Sequence, residues 1–292
     1  MDFWKAFEHG DLEVARRLLD DGLPIDEAAE HPRSSWTPLY SACYSGHLEV
    51  VKLLLERGAS ARGSGQYSSP LHGAVRAAYP HTQPSSLNGL EIMRLLISHG
   101  AEVSGTTARA PLWSACFGGS LEAARMLLDA GAFVDPISIN DYSVDPGTGT
   151  ALSLAAEKGH CALVALLLER GADIDRCADR RGEVALGFAC RANHGDVVRL
   201  LLDNGANPEG RGFTEPPLYT AAYRASSDVL RTLLEAAPTL TPGNATEARR
   251  RFTSHAITVV STTFDCYWTA VRILTRYLFA TAKQALLWVS LA

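Results

Sequence analysis

The chain has 292 residues, 47% of them hydrophobic and 20% charged, with a formal net charge of −5. This much apolar surface excludes a mainly disordered chain, and six Cys are too sparse for a secreted disulfide scaffold. The acidic balance argues against a global nucleic-acid binder, although it is uneven: Asn244–Ala292 carries +4 and the first 243 residues −9.

From the N-terminus, Met1 to Glu8 holds two acids and no apolar core, which is not the pattern of a secretory signal. Gly10-Asp11-Leu12-Glu13-Val14-Ala15, then Leu18-Leu19 and Gly22, form half of a phrase that returns complete further on. Its first full copy runs Thr37-Pro38-Leu39-Tyr40-Ser41-Ala42-Cys43, Gly46-His47-Leu48-Glu49-Val50-Val51-Lys52-Leu53-Leu54-Leu55, Gly58-Ala59. Further copies open at Pro70, Pro111, Ala151, Ala185 and Pro217, so the base period is near 33 residues with two insertions. In each copy the anchor predicts a short first helix. Pro fits its first turn because the missing N–H costs nothing there, and a preceding Thr or Ser can cap it. The Val-Val-x-Leu-Leu-Leu run predicts a second helix with a broad apolar face, ended at Gly58, where positive φ is tolerated. The Ala78–Leu87 insertion, with two Pro and a polar run, reads as a loop, and Asp135–Gly149 replaces a short connection. Toward the C-terminus, Ala270-Val271-Arg272-Ile273-Leu274 looks like the second helix of a degenerate capping copy. Phe279–Leu291 reads as one more apolar helix, and Arg272, Arg276 and Lys283 interrupt the stretch before it could span a membrane.

These anchors, repeated over residues 1 to about 241, resemble the ankyrin-repeat family. The resemblance implies an all-α fold, an α-solenoid of stacked helix pairs with hairpin-like finger loops. Its copies lie near 1–30, 34–63, 67–104, 107–135, 148–178, 181–210 and 214–242, forming an array over 1–243 followed by a helical tail at 244–292. No single pair can bury its own face, so neighbours must stack. The family also implies that His47, His160 and His194, which share one position at the start of the second helix, cap and link turns.

Chemistry is sparse. There is no C-x-x-C, and no His precedes a Glu, so neither a zinc ribbon nor a metalloprotease helix is present. Cys43, Cys116 and Cys190 occupy one small-residue slot of the first helix, which packing explains. Asp173, Asp175 and Asp179 resemble a calcium loop only faintly, lacking its Gly and terminal Glu, and read as a solvated acidic finger. No Lys follows Gly in a phosphate-binding loop. The expectation is a non-catalytic chain with no cofactor and no metal, intracellular in the cytoplasm or nucleus and monomeric before it meets a partner, with neither nucleic acid nor membrane as that partner.

Members of the family bind proteins on the concave side, formed by the fingers and the exposed residues of each first helix. Carried over position by position, that surface comprises Trp36, Tyr44, Arg76, Arg109, Phe117, Arg180, Arg181, Arg191, Phe213, Tyr223 and Arg224, beside Glu157, Lys158 and Glu183. The list is rich in aromatic and Arg side chains, which dominate interface energetics. The expected function is that of a scaffold or adaptor. The alternative is a substrate receptor of a ubiquitin ligase recruited through the tail, since some ankyrin proteins carry a C-terminal SOCS box. Residues 244–292 lack the Leu-Pro-x-Pro element of that box.

Overall fold

The computed structural model describes residues 4–26, 36–63, 69–81, 86–104, 110–135, 149–178, 182–208, 217, 220–221 and 227–236. The tail, residues 82–85 of the first insertion and residues 136–148 of the second lie outside them. The described elements are all helical: α1 (Trp4–His9), α2 (Leu12–Asp20), α3 (Pro38–Ser45), α4 (Leu48–Glu56), α5 (Pro70–Ala77), α6 (Ser86–Ser98), α7 (Pro111–Gly118), α8 (Leu121–Asp129), α9 (Ala151–Glu157), α10 (Cys161–Glu169), α11 (Ala185–Ala192), α12 (Gly195–Asp203) and α13 (Ser227–Ala236). First helices pack on first helices (α1, α3, α5, α7, α9, α11 in turn) and second helices on second helices, which makes an all-α solenoid.

Each first helix begins at the residue its anchor marks. Pro38, Pro70 and Pro111 occupy the first turns of α3, α5 and α7. Thr37 Oγ1 accepts from the Tyr40 N–H at 3.2 Å, and Thr150 Oγ1 from the Ser153 N–H at 3.0 Å. Ser69, expected to cap in the same way, forms no side-chain cap bond, and Ala110 and Val184 have no hydroxyl to offer. The second helices turn their apolar stripe inward: Val50, Val51 and Leu54 in α4, Ala123, Ala124 and Leu127 in α8, Leu163, Val164 and Leu167 in α10, and Val197, Val198 and Leu201 in α12 are all buried. Gly58 (φ 91°) ends the α4 turn, and the Ala59 N–H returns to the Leu54 carbonyl at 2.9 Å.

Two sequence expectations are corrected. The insertion read as a loop through Leu87 ends sooner, because α6 already begins at Ser86 and runs for 13 residues where α4, α8 and α10 have nine. The additional turn brings Asn88 to the first repeat, where its Nδ2 donates to the Gly46 carbonyl at 3.2 Å. The repeated histidines do not cap their own helices, since His47, His160 and His194 form no side-chain cap bond. They link copies instead. The His47 and His194 Nε2 atoms lie 2.8 Å from the Glu8 carbonyl and 3.0 Å from the Glu157 carbonyl, and His160 bonds the Phe117 backbone. Each ring packs where the previous copy has a left-handed glycine. A Cβ on Gly159 would stand 2.6 Å from the His194 ring, and one on Gly119 would stand 2.7 Å from the His160 ring.

The link between the second and third copies is built differently, because Ser120 occupies the His position of the third copy. Tyr79 reaches forward, its hydroxyl 3.0 Å from the Ser114 carbonyl and 2.8 Å from Ser114 Oγ, with its ring where Gly118 has no side chain. The fingers are stapled as well. Asp26 accepts from the Ser60 N–H at 2.9 Å, Asp135 from the Asp173 N–H at 2.8 Å, and Asp175 from the Asn207 N–H at 3.0 Å. The acidic finger residues Asp173 and Asp175 thus sit within a chain of backbone contacts between copies.

Candidate binding face on the first helices

One face of α3, α5, α7, α9 and α11 carries exposed and half-buried side chains set against a few buried rings. In α3, Tyr40 and Tyr44 are one turn apart and meet Trp36, with Trp36 centroid distances of 4.8 Å to Tyr40 and 5.0 Å to Tyr44. Tyr40 is buried, and its hydroxyl pKa is pushed up to about 12, chiefly by burial. Trp36 and Tyr44 are half-buried. They combine contacts within the array with a remaining exposed edge.

On α5 the backbone passes close to α3. A Cβ on Gly73 would stand 3.1 Å from the Tyr44 nitrogen and 3.2 Å from the Tyr40 carbonyl, so a small residue is needed there. This approach sets the exposed Arg76 guanidinium over the Tyr44 ring at 5.2 Å and within 5.9 Å of the Tyr79 ring. In α7, Trp113 and Phe117 stack at 5.8 Å with an interplanar angle of 8°. Trp113 is half-buried, whereas Phe117 remains 46% exposed. Lys158, following α9, stands 5.1 Å over the Phe117 ring and 3.7 Å from the Glu157 carboxylate. In α11, Arg191 lies 4.5 Å over the Phe188 ring and donates to Glu183 at 2.6 Å.

Aromatic and cationic side chains of neighbouring copies therefore stand against one another across one face. Among the expected binding residues, Trp36, Tyr44, Arg76, Phe117 and Arg191 take their places on it. Arg109, Arg180, Arg181, Phe213, Tyr223 and Arg224 lie outside the described residues. Trp113 and Tyr79 join the face without having been singled out, and Phe188 lies buried beneath Arg191. The i, i+4 spacing of Trp113 and Phe117 was a signal for the first of these. Nothing local to Tyr79 announced its contact with a copy 35 residues away.

The chemistry of the buried groups fits packing. Cys43, Cys116 and Cys190 are buried, and burial pushes their thiols up, to about 12 for Cys116 and Cys190. Among the described residues, no group of three or more His, Cys, Asp or Glu is placed to hold a metal ion, and no helix is long and apolar enough to cross a membrane.

Comparison with known proteins leads to the same architecture. Family models described as ankyrin repeats match residues 85–177, 152–242 and 3–55. An ankyrin repeat and KH domain-containing protein, mask-1 of Caenorhabditis elegans, is 30% identical over 204 residues, covering 70% of this chain and 7% of that protein. The probable E3 ubiquitin-protein ligase XBOS33 of Oryza sativa subsp. japonica is 42% identical over 91 residues, 31% of this chain and 16% of the relative. Ankyrin repeat protein nuc-2 of Neurospora crassa is 28% identical over 237 residues, 80% of this chain and 21% of the relative. The chain thus spans only a small part of these relatives' length. The crystal structure of the human ASB11 ankyrin repeat domain superposes with a TM-score of 0.64 at 26% identity, covering 81% of this chain and 97% of that one. Repeated anchors, stacked helix pairs and family models that cover most of the sequence agree: the chain belongs to the ankyrin-repeat family.

Proposed function

We propose that this chain is a non-catalytic scaffold or adaptor that binds a partner protein on its first-helix face. Ankyrin repeats are protein-interaction modules, and the observation that carries the reading here is Phe117. A large apolar ring left 46% exposed, backed by Trp113 and flanked by Lys158, is the kind of anchor that interface centres use. The test is affinity purification with the wild type and with Trp36→Ala/Phe117→Ala/Tyr223→Ala, each confirmed folded by circular dichroism. The partner recovered with the wild type is expected to be depleted from the variant. Undiminished recovery would remove the proposal.

A second reading is favoured by the similarity to two ubiquitin-protein ligases, the rice protein above and the E3 ubiquitin-protein ligase XBAT33 of Arabidopsis thaliana, 39% identical over 105 residues. On that reading the array selects a substrate and residues 244–292 recruit the ligase. Cullin and elongin in the purified complex would support it, and their absence would exclude recruitment of that type.

A further inference from the structure

Among the described residues, the three cations on the first-helix face are not equivalent. Arg191 is committed to Glu183 at 2.6 Å, and Lys158 has the Glu157 carboxylate at 3.7 Å. Arg76 is exposed and has no carboxylate within ion-pair distance among the described residues, although the chain as a whole holds 32 acids against 27 bases. It is also held in place, since Gly73 brings α5 against α3 and the Tyr44 and Tyr79 rings flank its guanidinium. A planar cation that is positioned yet unpaired is matched to a carboxylate, which it can bind through two parallel N–H···O bonds.

Phe117 lies on the neighbouring first helix, α7, which packs on α5. Helices in contact have axes about 8–10 Å apart. An extended chain of the polyproline II type advances about 3.1 Å per residue with three residues per turn, so side chains three positions apart share a face about 9 Å apart and reach both sites.

We propose that the first-helix face recognises an extended acidic segment of a protein partner, with an Asp or Glu on Arg76 and a large apolar side chain about three residues away on Phe117. This rests on the first-helix face being the binding face, and names the chemistry it selects. Extended recognition suits the surface, because successive copies offer contacts at regular intervals across the helices. The neighbouring Lys158 and Arg191, already neutralised, add contact area and little selectivity for charge.

Random linear 12-residue peptides displayed on phage, selected on the immobilised full chain, test the proposal. The recovered peptides are expected to share an Asp or Glu about three positions from Phe, Leu, Ile or Trp. Replacing that acid by its amide should weaken binding to the wild type about tenfold or more, and should change binding to the Arg76→Gln chain little. Arg76 is exposed, so Arg76→Gln should leave the fold intact, as circular dichroism would verify. Three results overturn the proposal: no peptides recovered, peptides without a shared acid, or an amide effect of equal size on the wild type and Arg76→Gln. The last two leave the first-helix reading standing if Phe117→Ala still weakens binding. Selected peptides that neither Phe117→Ala nor Arg76→Gln affects would contradict that reading as well.

Discussion

His194 and Gly159 show how one residue position ties the array together. The ring fills the space that Gly159 leaves open at φ 75°, while its Nε2 engages the Glu157 carbonyl at 3.0 Å. Gly159→Ala therefore imposes left-handed strain of about 1–2 kcal/mol and also displaces the ring. Gly171→Ala, at φ 85° with open space around it, imposes the strain alone. Urea midpoints should show Gly159→Ala as the more destabilising by at least about 1 kcal/mol, from the lost hydrogen bond and the clash. His160 adds a dependence on pH. Burial lowers its pKa below 6.5, so the folded array favours the neutral ring over the protonated one. Its contribution is fully present above pH 6.5 and is lost as pH falls through the lowered value. Asn88 also links its copy to the previous one, through an amide that does not titrate. His160→Asn should accordingly flatten the loss of thermal stability between neutral and mildly acidic pH; an unchanged slope would assign that loss to other groups.

At the scale of elements, the helix starts were legible because Pro and Thr act locally. Pro38, Pro70 and Pro111 open their helices where the sequence places them, and Thr37 caps through the expected hydroxyl. Thr37→Ala should cost about 1 kcal/mol in chemical denaturation, and Ser69→Ala close to nothing, because Ser69 makes no cap bond. The early start of α6 was hidden, since Ser86 is as common in a loop as in a first helical turn. What fixes it is the Asn88 bond to Gly46, 42 residues away. The role of the histidines was half legible. The family resemblance implied that they are structural, but spacing within a copy cannot reveal that each bond goes to the previous one. Tyr79 lies at the start of the insertion, where polar neighbours suggested a surface loop, and it serves as the bridge to Ser114. The binding face divides in the same way. Its positions followed from the repeat register, whereas the packing of Trp36 against Tyr40 and the pairing of Arg191 with Glu183 depend on side-chain geometry.

For the molecule as a whole, regular copies yield two surfaces of different character. Second helices bury their stripes and expose ordinary ion pairs such as Lys52–Glu49 and Arg94–Glu91, which contribute little individually. First helices present a face on which aromatic rings and cations of neighbouring copies meet. On the proposed function, a partner docks on that second kind of surface. Hydroxyl-radical footprinting of the full chain, alone and with its recovered partner, tests this most directly. Phe117 and Tyr44 should lose reactivity in the complex, while Met126, on the second helix of the third copy, keeps its own. Protection of Met126 with Phe117 and Tyr44 unchanged would place the partner on the other surface and contradict docking on the first helices.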